Sequence, residues 1–359
     1  MGVFKLALLL PFGLLATGAV ADPNVAPDDP REILFRAMDK GRWLNLESIV
    51  VRRMSSSDRT TKQIRVAQRG GMSKSTVLSP LPEQGVTTVD DGKTWTTYFP
   101  DDNLMVIQDS PKRTSWNWRR QAVADDNYRF TFEKVESIAG RKANTILATP
   151  KFPEMPARRF SLDLDYPLLL KMEVAKDGRF ITMMDTKAIA FTTVDEDALQ
   201  VNPPAEVRKA FHEAPQRFRS AAEALEIVGF KPSMPGPLPF GFVISEPQVI
   251  GDRGRKFIAI RVSDGLASAT VYQWNVTDRD PIPCRDPRYL REANGLKMSL
   301  SGDLPEVVLT RLLETFVREA LKGLQPLLGT DFDLSALHTL HGEEGEAGGR
   351  TILIIQVAP

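Results

Sequence analysis

Between Leu44 and Val194 the chain reads as a long succession of short strands separated by turn signals, and this pattern constrains the fold most. Apolar and polar residues alternate in stretches such as Leu46–Arg52 and Lys62–Ala67, which is typical of strands with one buried face. Asp90–Lys93 (DDGK) is a hairpin signal between two such strands. Because consecutive hairpins build antiparallel sheets, the region predicts a curved antiparallel sheet that a helix covers on one face.

One helix precedes these strands and supplies that cover. Asp28–Glu32 combines acidic residues with a proline in the first turn, and both features favour a helix start. Ile33, Leu34, Ala37 and Met38 then recur on one side of the helix. A single opening helix followed by many antiparallel strands predicts the α+β class.

A second group of elements follows a proline-rich boundary near residue 200. Residues 205–228 read as helical with an interruption at Pro215, and a proline-rich stretch over 230–242 leads into further strands. A final helix is predicted from the D-x-x-E sequence at Asp303 to about Leu324. The strands predicted in this half are Val243–Ile250, Lys256–Val262, Ser268–Trp274 and Leu296–Ser301, with Thr351–Val357 as a possible last strand. The predicted organisation is a first domain over 22–200, a helical linker over 201–229 and a smaller α+β domain over 230–359.

The first 21 residues have the pattern of a signal peptide. Lys5 is followed by an apolar run to Gly18, and Ala19-Val20-Ala21 fits a cleavage site. The run is too short for a transmembrane helix, which needs about 20 apolar residues. We therefore expect cleavage after Ala21 and a periplasmic mature chain with no membrane span.

Charge and cysteine content exclude several kinds of partner. The chain has 46 Lys+Arg against 46 Asp+Glu, which argues against electrostatic binding of nucleic acid. One Cys and three His make a zinc site improbable, and no cofactor motif is present. Cys284 reads as an unreactive loop thiol.

No catalytic motif is present either, so the chain is not expected to be an enzyme. Asp163 and Asp165 are the best carboxylate pair, but they alternate with apolar residues, so the favoured interpretation is the wet face of a strand. The aromatic and basic stretch over 116–120 (WNWRR) could stack on bases, although packing is the favoured interpretation in a neutral exported chain.

The first half resembles the LolA-like superfamily. The stretches 91–100 (DGKTWTTYFP), 135–141 (VESIAGR) and 159–168 (RFSLDLDYPL) are similar to that family's hairpin, turn and strand sequences and occur in the same order. The resemblance implies a half-open antiparallel β-barrel wrapped on a helix, with an apolar cavity.

The second half resembles the MucB/RseB periplasmic sigma-factor regulators. The stretches 230–242 (FKPSMPGPLPFGF) and 296–305 (LKMSLSGDLP) are similar to the start of that family's C-terminal domain and to its closing strand. The chain departs from the pattern in a proline-rich insert at 280–287 and in an extension after about residue 325.

The resemblance implies a binding protein rather than an enzyme. Proteins of the regulator branch bind the periplasmic region of a membrane anti-sigma factor and shield it until an envelope-stress signal displaces them. An apolar cavity of the LolA type could bind a lipid, a lipoprotein or an apolar peptide. The candidates to line it are Trp95, Phe130, Phe132, Phe160, Leu162, Leu164, Leu170, Met172 and Met183.

Three hypotheses remain open. The favoured one is a sensor or regulator of the MucB/RseB type, and the second is a periplasmic lipid or lipoprotein carrier. The third is an exported enzyme on a LolA-like scaffold, with Asp163 and Asp165 as its candidates. For every cavity candidate, an ordinary filled core is the competing interpretation.

Overall fold

A computed structural model describes residues 29–56, 60–110, 117–211, 215–252, 255–278 and 287–322. Several predicted features lie outside these residues. They are the signal peptide, Cys284 with its proline-rich insert, Trp116, the three histidines, and the C-terminal extension with Thr351–Val357.

The described residues form four α-helices and eighteen strands. The helices are α1 (Pro30–Lys40), α2 (Asn117–Asn127), α3 (Ala221–Val228) and α4 (Glu306–Lys322). The first twelve strands are β1 (Leu46–Arg53), β2 (Thr61–Arg69), β3 (Met72–Ser79), β4 (Thr87–Asp90), β5 (Thr94–Phe99), β6 (Leu104–Asp109), β7 (Tyr128–Ile138), β8 (Arg141–Pro150), β9 (Arg158–Asp163), β10 (Leu169–Lys176), β11 (Arg179–Ala190) and β12 (Arg208–Phe211). The remaining strands are β13 (Gln216–Arg217), β14 (Val243–Asp252), β15 (Arg255–Ser263), β16 (Ser268–Asn275), β17 (Leu290–Ala293) and β18 (Leu296–Gly302).

The first twelve strands form one open sheet. Its order is β12-β6-β5-β4-β3-β2-β1-β11-β10-β9-β8-β7, so β12 and β7 are its two ends and are not paired with each other in the described chain. All neighbouring strands run antiparallel except β12, which pairs in parallel with β6. The fold is therefore α+β with an open sheet.

Helix α1 covers one end of this sheet. It begins where the Asp29 carboxylate accepts a hydrogen bond from the Arg31 amide (2.9 Å) and Pro30 occupies the first turn. Leu34 and Ala37 are buried against β7, β9 and β10, with Phe160 in the same cluster. Burial of this apolar stripe stabilises the helix on the sheet.

The second sheet is smaller and its core is filled. Its order is β13-β14-β15-β16-β18-β17, with six strands, and α4 packs against β17 and β18. Leu312, Leu313 and Phe316 of α4 are at most 1% exposed. They lie at the i, i+1 and i+4 spacing of one helical stripe, which agrees with the predicted amphipathic helix.

The two sheets meet at a seam beside α2. Asn127 Nδ2 donates to the carbonyl oxygens of Gly241 (2.9 Å) and Asp264 (3.0 Å). The hydroxyl of Tyr128 donates to the buried carboxylate of Asp264 (2.6 Å). Gly265 lies so close to α2 that a Cβ atom there would be 2.4 Å from the Ala124 nitrogen. The seam is therefore a packed contact with paired polar groups.

One prediction about secondary structure was wrong. Residues 205–228 were expected to be helical, but Arg208–Phe211 and Gln216–Arg217 are strands, and of the described residues in this range Ala221–Val228 are helical. The region from Leu44 to Val194 is mostly strand, as predicted, but the helix α2 within it was not predicted. Arg208–Phe211 forms the strand β12 because it pairs in parallel with β6 at the edge of the sheet. Local helix propensity does not account for this long-range contact. Helices α1 and α4 and the hairpin strands were predicted correctly.

Candidate functional site

The face of the twelve-stranded sheet on which α1 packs is called the helix-side face. Residues that are directly paired on neighbouring strands point to the same face. The strand register therefore identifies the helix-side residues of each strand in turn. Phe160 pairs with Met172, which pairs with Met184. Met184 pairs with Arg52, and Arg52 with Lys62 of β2. The helix-side residues of β2 are consequently Lys62 and every second residue after it.

In β2–β6 this face carries apolar residues among polar ones such as Gln68, Ser75 and Thr88, and it is not filled. Trp95 is one of these residues, and its indole Nε1 donates to the Thr97 hydroxyl (3.1 Å) on the same face. Among the residues of these five strands only Asp90 and Met105 are buried, and the register places Met105 on the opposite face. The half-buried apolar residues of the helix-side face here are Ile64, Val66, Val77, Trp95, Phe99, Leu104 and Val106.

A groove of about 520 Å³ lies beside α1, between this helix and the start of α2. Phe35 and Met38 supply its apolar part, and Phe35 makes an edge contact with Phe130 of β7 (6.3 Å between ring centres). The other described lining residues are Glu32, Arg36, Asp39, Lys40, Arg120 and Gln121. A lining that combines two large apolar side chains with charged and polar ones suits an amphiphilic ligand or a peptide.

Arg120 connects this groove with the seam. Its guanidinium Nε donates to the carbonyl oxygen of Gly265 (2.7 Å) in the second sheet. Burial lowers the pKa of Arg120, and the nearby positive charges of Arg261 and Arg158 act in the same direction. The group still carries its charge at neutral pH because an unperturbed guanidinium titrates above about 12. A ligand in the groove therefore contacts a residue that is also bonded to the other half of the protein.

Four of the nine sequence-derived cavity candidates lie in one cluster, in which Phe130 and Met172 pack against Phe160 and Leu162. Phe160, Leu162 and Leu170 are at most 1% exposed and belong to packed clusters. Met183 is also buried. The remaining positions are Trp95, Phe130 and Met172, which are half-buried, and Phe132 and Leu164, which are exposed. The described lining of the groove includes none of the nine.

Sequence reasoning missed the helix residues of the groove. Phe35 and Met38 lie on α1, and α1 carries more apolar residues than it buries, since only Leu34 and Ala37 are fully covered. This excess was the available signal. It was overlooked because a helix with an apolar stripe is usually explained by the core beneath it.

The carboxylate pair is bound in ion pairs. Arg141 Nε and Nη2 donate to the Asp163 carboxylate, and Nη2 also donates to Asp165 (2.9 Å). Asp163 additionally accepts the backbone amides of Asp165 and Tyr166. Asp163 is buried rather than on a wet face, so that interpretation was wrong for this residue. Both carboxylates have partners that explain their presence without catalysis.

In the described ranges, no three His, Cys, Asp or Glu side chains converge in a way that could hold a metal ion. None of the helices described for this chain is both long enough and apolar enough to cross a bilayer.

The comparisons with known proteins connect this fold to MucB. No family model and no curated protein matches the chain. A crystal structure of MucB is similar, with 16% identity, a TM-score of 0.53, and 80% of this chain and 96% of MucB covered. The Pseudomonas aeruginosa MucA/MucB complex is similar at 15% identity, with a TM-score of 0.54, 79% of this chain and 96% of that chain covered. A structure of MucB bound to MucA(peri) matches at 15% identity and a TM-score of 0.54, and the match covers 79% of this chain and 97% of that chain. At this level of identity the likeness shows the fold, and it confirms the predicted MucB/RseB-like architecture.

Proposed function

We propose that this chain is an exported, non-enzymatic regulator that binds the periplasmic region of a membrane-anchored anti-sigma factor. The observation that carries the proposal is the fold match to MucB, which extends over 96% of the MucB chain and therefore includes both of its halves. Solved structures of MucB with MucA support the same kind of partner for this chain. The signal-peptide pattern supports a periplasmic location.

The helix-side face of β2–β6 and the groove beside α1 are the sites for the displacing signal in this proposal. Half-buried residues such as Val66 and Trp95 can still gain burial when an apolar ligand covers them. Arg120 lies at the groove and is bonded to the second sheet, so a ligand there can influence a partner that contacts both halves.

The experiment is a capture assay with the mature chain as bait and solubilised envelope proteins as prey. We expect one single-pass membrane protein to be retained, and we expect an acyl-chain amphiphile to release it. Phe35→Asp in the groove is expected to weaken release, whereas the exposed Val307→Asp on α4 is the matched control. Capture of no single-pass membrane protein would contradict the proposal.

A periplasmic lipid or lipoprotein carrier is the second candidate. The half-buried apolar residues on the helix-side face of β2–β6 favour it, because a carrier needs apolar surface that its own core does not fill. Mass spectrometry of the purified chain, followed by transfer assays to acceptor vesicles, separates the two functions. Bound lipid that moves to vesicles supports the carrier, and bound lipid that only releases a protein partner supports the regulator.

A further inference from the structure

Most polar groups of the seam are paired, but its charges are not balanced among the described residues. Arg158, the first residue of β9, is 7% exposed, and Asp264 is 1% exposed. The Tyr128 hydroxyl donates to Asp264 (2.6 Å) and also interacts with Arg158. Arg120 of α2 is half-buried, and the charges of Asp264 and Arg158 both act on it. Two guanidinium groups therefore share one buried carboxylate.

Most of the hydrogen-bonding capacity of Asp264 is used by other donors. Its Oδ2 accepts the Tyr128 hydroxyl. Its Oδ1 accepts the backbone amides of Leu266 (2.8 Å) and Ala267 (2.6 Å). A carboxylate offers about four lone-pair sites, whereas each guanidinium carries five N–H donors. Asp264 therefore cannot satisfy both arginines.

The two arginines lack a counter-charge in the described part of the chain. The Nε of Arg158 is buried and has no hydrogen-bond partner there. Arg120 donates through Nε to the carbonyl oxygen of Gly265 (2.7 Å), and neither arginine is in an ion pair among the described residues. A buried donor without an acceptor and a buried charge without a counter-charge both cost folding free energy. An anion at this position would lower that cost.

The groove beside α1 gives access to this charge. Arg120 lines the groove on its α2 side. On the α1 side, Phe35 contacts the ring of Phe130 (6.3 Å between ring centres). Phe130 pairs with Ala148, and Ala148 pairs with Arg158, so these residues share the helix-side face. Arg158 thus lies on the same face as the apolar wall of the groove, two strands from Phe130.

The groove's own acidic residues are paired with other cations. Asp39 pairs with Arg42 (3.3 Å), just after the end of α1. Glu32 pairs with Arg31 (3.7 Å) near the start of the helix. Gln121 adds an uncharged amide that can donate a hydrogen bond. In the described lining, the α2 side of the groove therefore presents a cation and an amide donor without an acidic side chain.

An oxyanion of the phosphate class suits these groups. The planar fork of a guanidinium donates to two oxygens of such an ion at once. The attraction is stronger at a half-buried position than in open water, because the effective dielectric constant is lower there. The groove, at about 520 Å³, is larger than a single ion, so the oxyanion can enter alone or as part of a larger molecule. Free phosphate and a phospholipid headgroup share this chemistry.

We propose that the groove binds an oxyanion of the phosphate class at Arg120, with Gln121 as a second donor and the charge of Arg158 in support. The bound ion supplies the counter-charge that Asp264 does not provide. Since Arg120 is also bonded to Gly265, occupancy of the site stabilises the contact between the two sheets. The site goes beyond the regulatory function proposed above and does not depend on it.

Thermal unfolding of the mature chain in increasing inorganic phosphate tests the site, with chloride keeping the ionic strength constant. We expect the midpoint to rise with phosphate concentration, because a ligand that binds the folded state stabilises it. Arg120→Gln should weaken phosphate binding roughly tenfold or more, and Arg120→Lys should retain part of the affinity because it keeps the charge. A wild-type midpoint that does not depend on phosphate concentration overturns the proposal.

Arg120→Gln also removes the hydrogen bond to Gly265, so a second variant leaves this bond in place. Gln121→Glu puts a negative charge on the α2 side of the groove and should weaken phosphate binding roughly tenfold or more by repulsion. Lys40→Gln is the matched control, because Lys40 also lines the groove but its side chain is 64% exposed. It should change the affinity less than about twofold.

Two results with these variants overturn the proposal. An equal loss of affinity in Lys40→Gln would assign phosphate binding to the diffuse charge of the groove. Unchanged affinity in both Arg120→Gln and Gln121→Glu would mean an adventitious ion only.

Two short-chain lipids, both below their micelle concentrations, distinguish the sources of the oxyanion. Calorimetric titration compares dihexanoyl phosphatidic acid with inorganic phosphate and with uncharged dihexanoylglycerol. Tighter binding of the phosphatidic acid than of phosphate supports a lipid headgroup at the site, and equal affinity supports the free ion. Dihexanoylglycerol that binds as tightly as the phosphatidic acid overturns the proposal, because the site would then recognise no oxyanion.

Discussion

The six-stranded sheet and the β2–β6 part of the twelve-stranded sheet are built from similar strands but are packed differently. In β15 and β16, Ile258, Ile260 and Val271 are all 0% exposed beneath α4 and its neighbours. In β2, Ile64 and Val66 are only half-buried. The difference is one of cover and of composition, since the helix-side face of β2–β6 also carries polar residues such as Gln68, Ser75 and Thr88.

Helix length explains why the cover differs. α4 has 17 residues, seven of them buried, and serves a sheet of six strands. α1 has 11 residues and is therefore about 16 Å long. A sheet of twelve strands is roughly 50 Å wide at about 4.8 Å per strand. α1 packs on the β7–β10 end, and beyond the contact of Gln68 with Gly41 at the C-terminal end of α1 the apolar residues on the helix-side face of β2–β6 are only half-buried.

A matched pair of isoleucine substitutions would test this difference in packing most directly. Ile258→Ala is expected to lower the free energy of unfolding by about 2–5 kcal/mol, because it leaves a cavity in a filled core. Ile64→Ala is expected to cost about 1 kcal/mol or less, since its side chain already contacts solvent. Urea denaturation measures the free energy of unfolding of both variants. Equal losses would mean that the β2–β6 face is filled after all.

A pH series tests how the opposite face of the twelve-stranded sheet is held. Glu136 accepts hydrogen bonds from Ser161 (2.7 Å) and Thr145 (2.8 Å), two buried residues. Burial by itself raises the pKa of Glu136, but the hydrogen bonds from Ser161, Thr145 and Lys134 outweigh it and lower the pKa to about 2. A lowered pKa stabilises the folded state above the unfolded pKa of 4.5, and this stability is lost as the pH falls from there towards 2.

Glu136→Gln should therefore destabilise the protein by up to about 3 kcal/mol at pH 7 and have little effect near pH 2. Urea denaturation at several pH values gives the profile. Glu32→Gln is the control, because that side chain is 65% exposed in its ion pair. A Glu136→Gln effect that does not depend on pH would refute the polar-network explanation.

A pair of glycine substitutions tests the seam between the two regions, with the smallest expected effect. Gly265 and Gly178 both have positive φ (98° and 75°), so alanine is strained at either position. Only at Gly265 would the new Cβ collide with α2, whereas nothing lies within 4 Å at Gly178. We expect Gly265→Ala to be less stable than Gly178→Ala by about 1–3 kcal/mol in thermal or urea unfolding. Equal losses of stability in the two variants would show that the seam accommodates the new Cβ atom without a cost in folding free energy.

Much of the fold could be predicted because its signals are local. The Asp29 cap, Pro30 in the first turn and the stripe of α4 all act within one or two helical turns. Hairpin turns such as Asp177-Gly178 are equally local. The strand β12 was missed because its partner β6 lies about a hundred residues away, and no local signal reports a parallel edge pairing.

The surroundings of the candidate site residues depend on what covers each strand. Alternation marks Phe160 and Leu162 as facing one side of a strand, and the structure places them there, but beneath α1 rather than in an open cavity. The spacing placed Met38 on the apolar side of the first helix and did not single out Phe35, and both residues line the groove while they pack against the core. Sequence periodicity identifies a face, and it does not identify what covers that face.

The sequence by itself determined most of the elements of this protein, because caps, turns and the periods of apolar residues depend on neighbours a few positions apart. The tertiary structure alone decided which apolar faces are filled, where the seam forms and which edge is free. These outcomes depend on the length of a helix relative to the width of the sheet it covers, and on pairings between distant strands. They follow from three-dimensional geometry that no local pattern encodes.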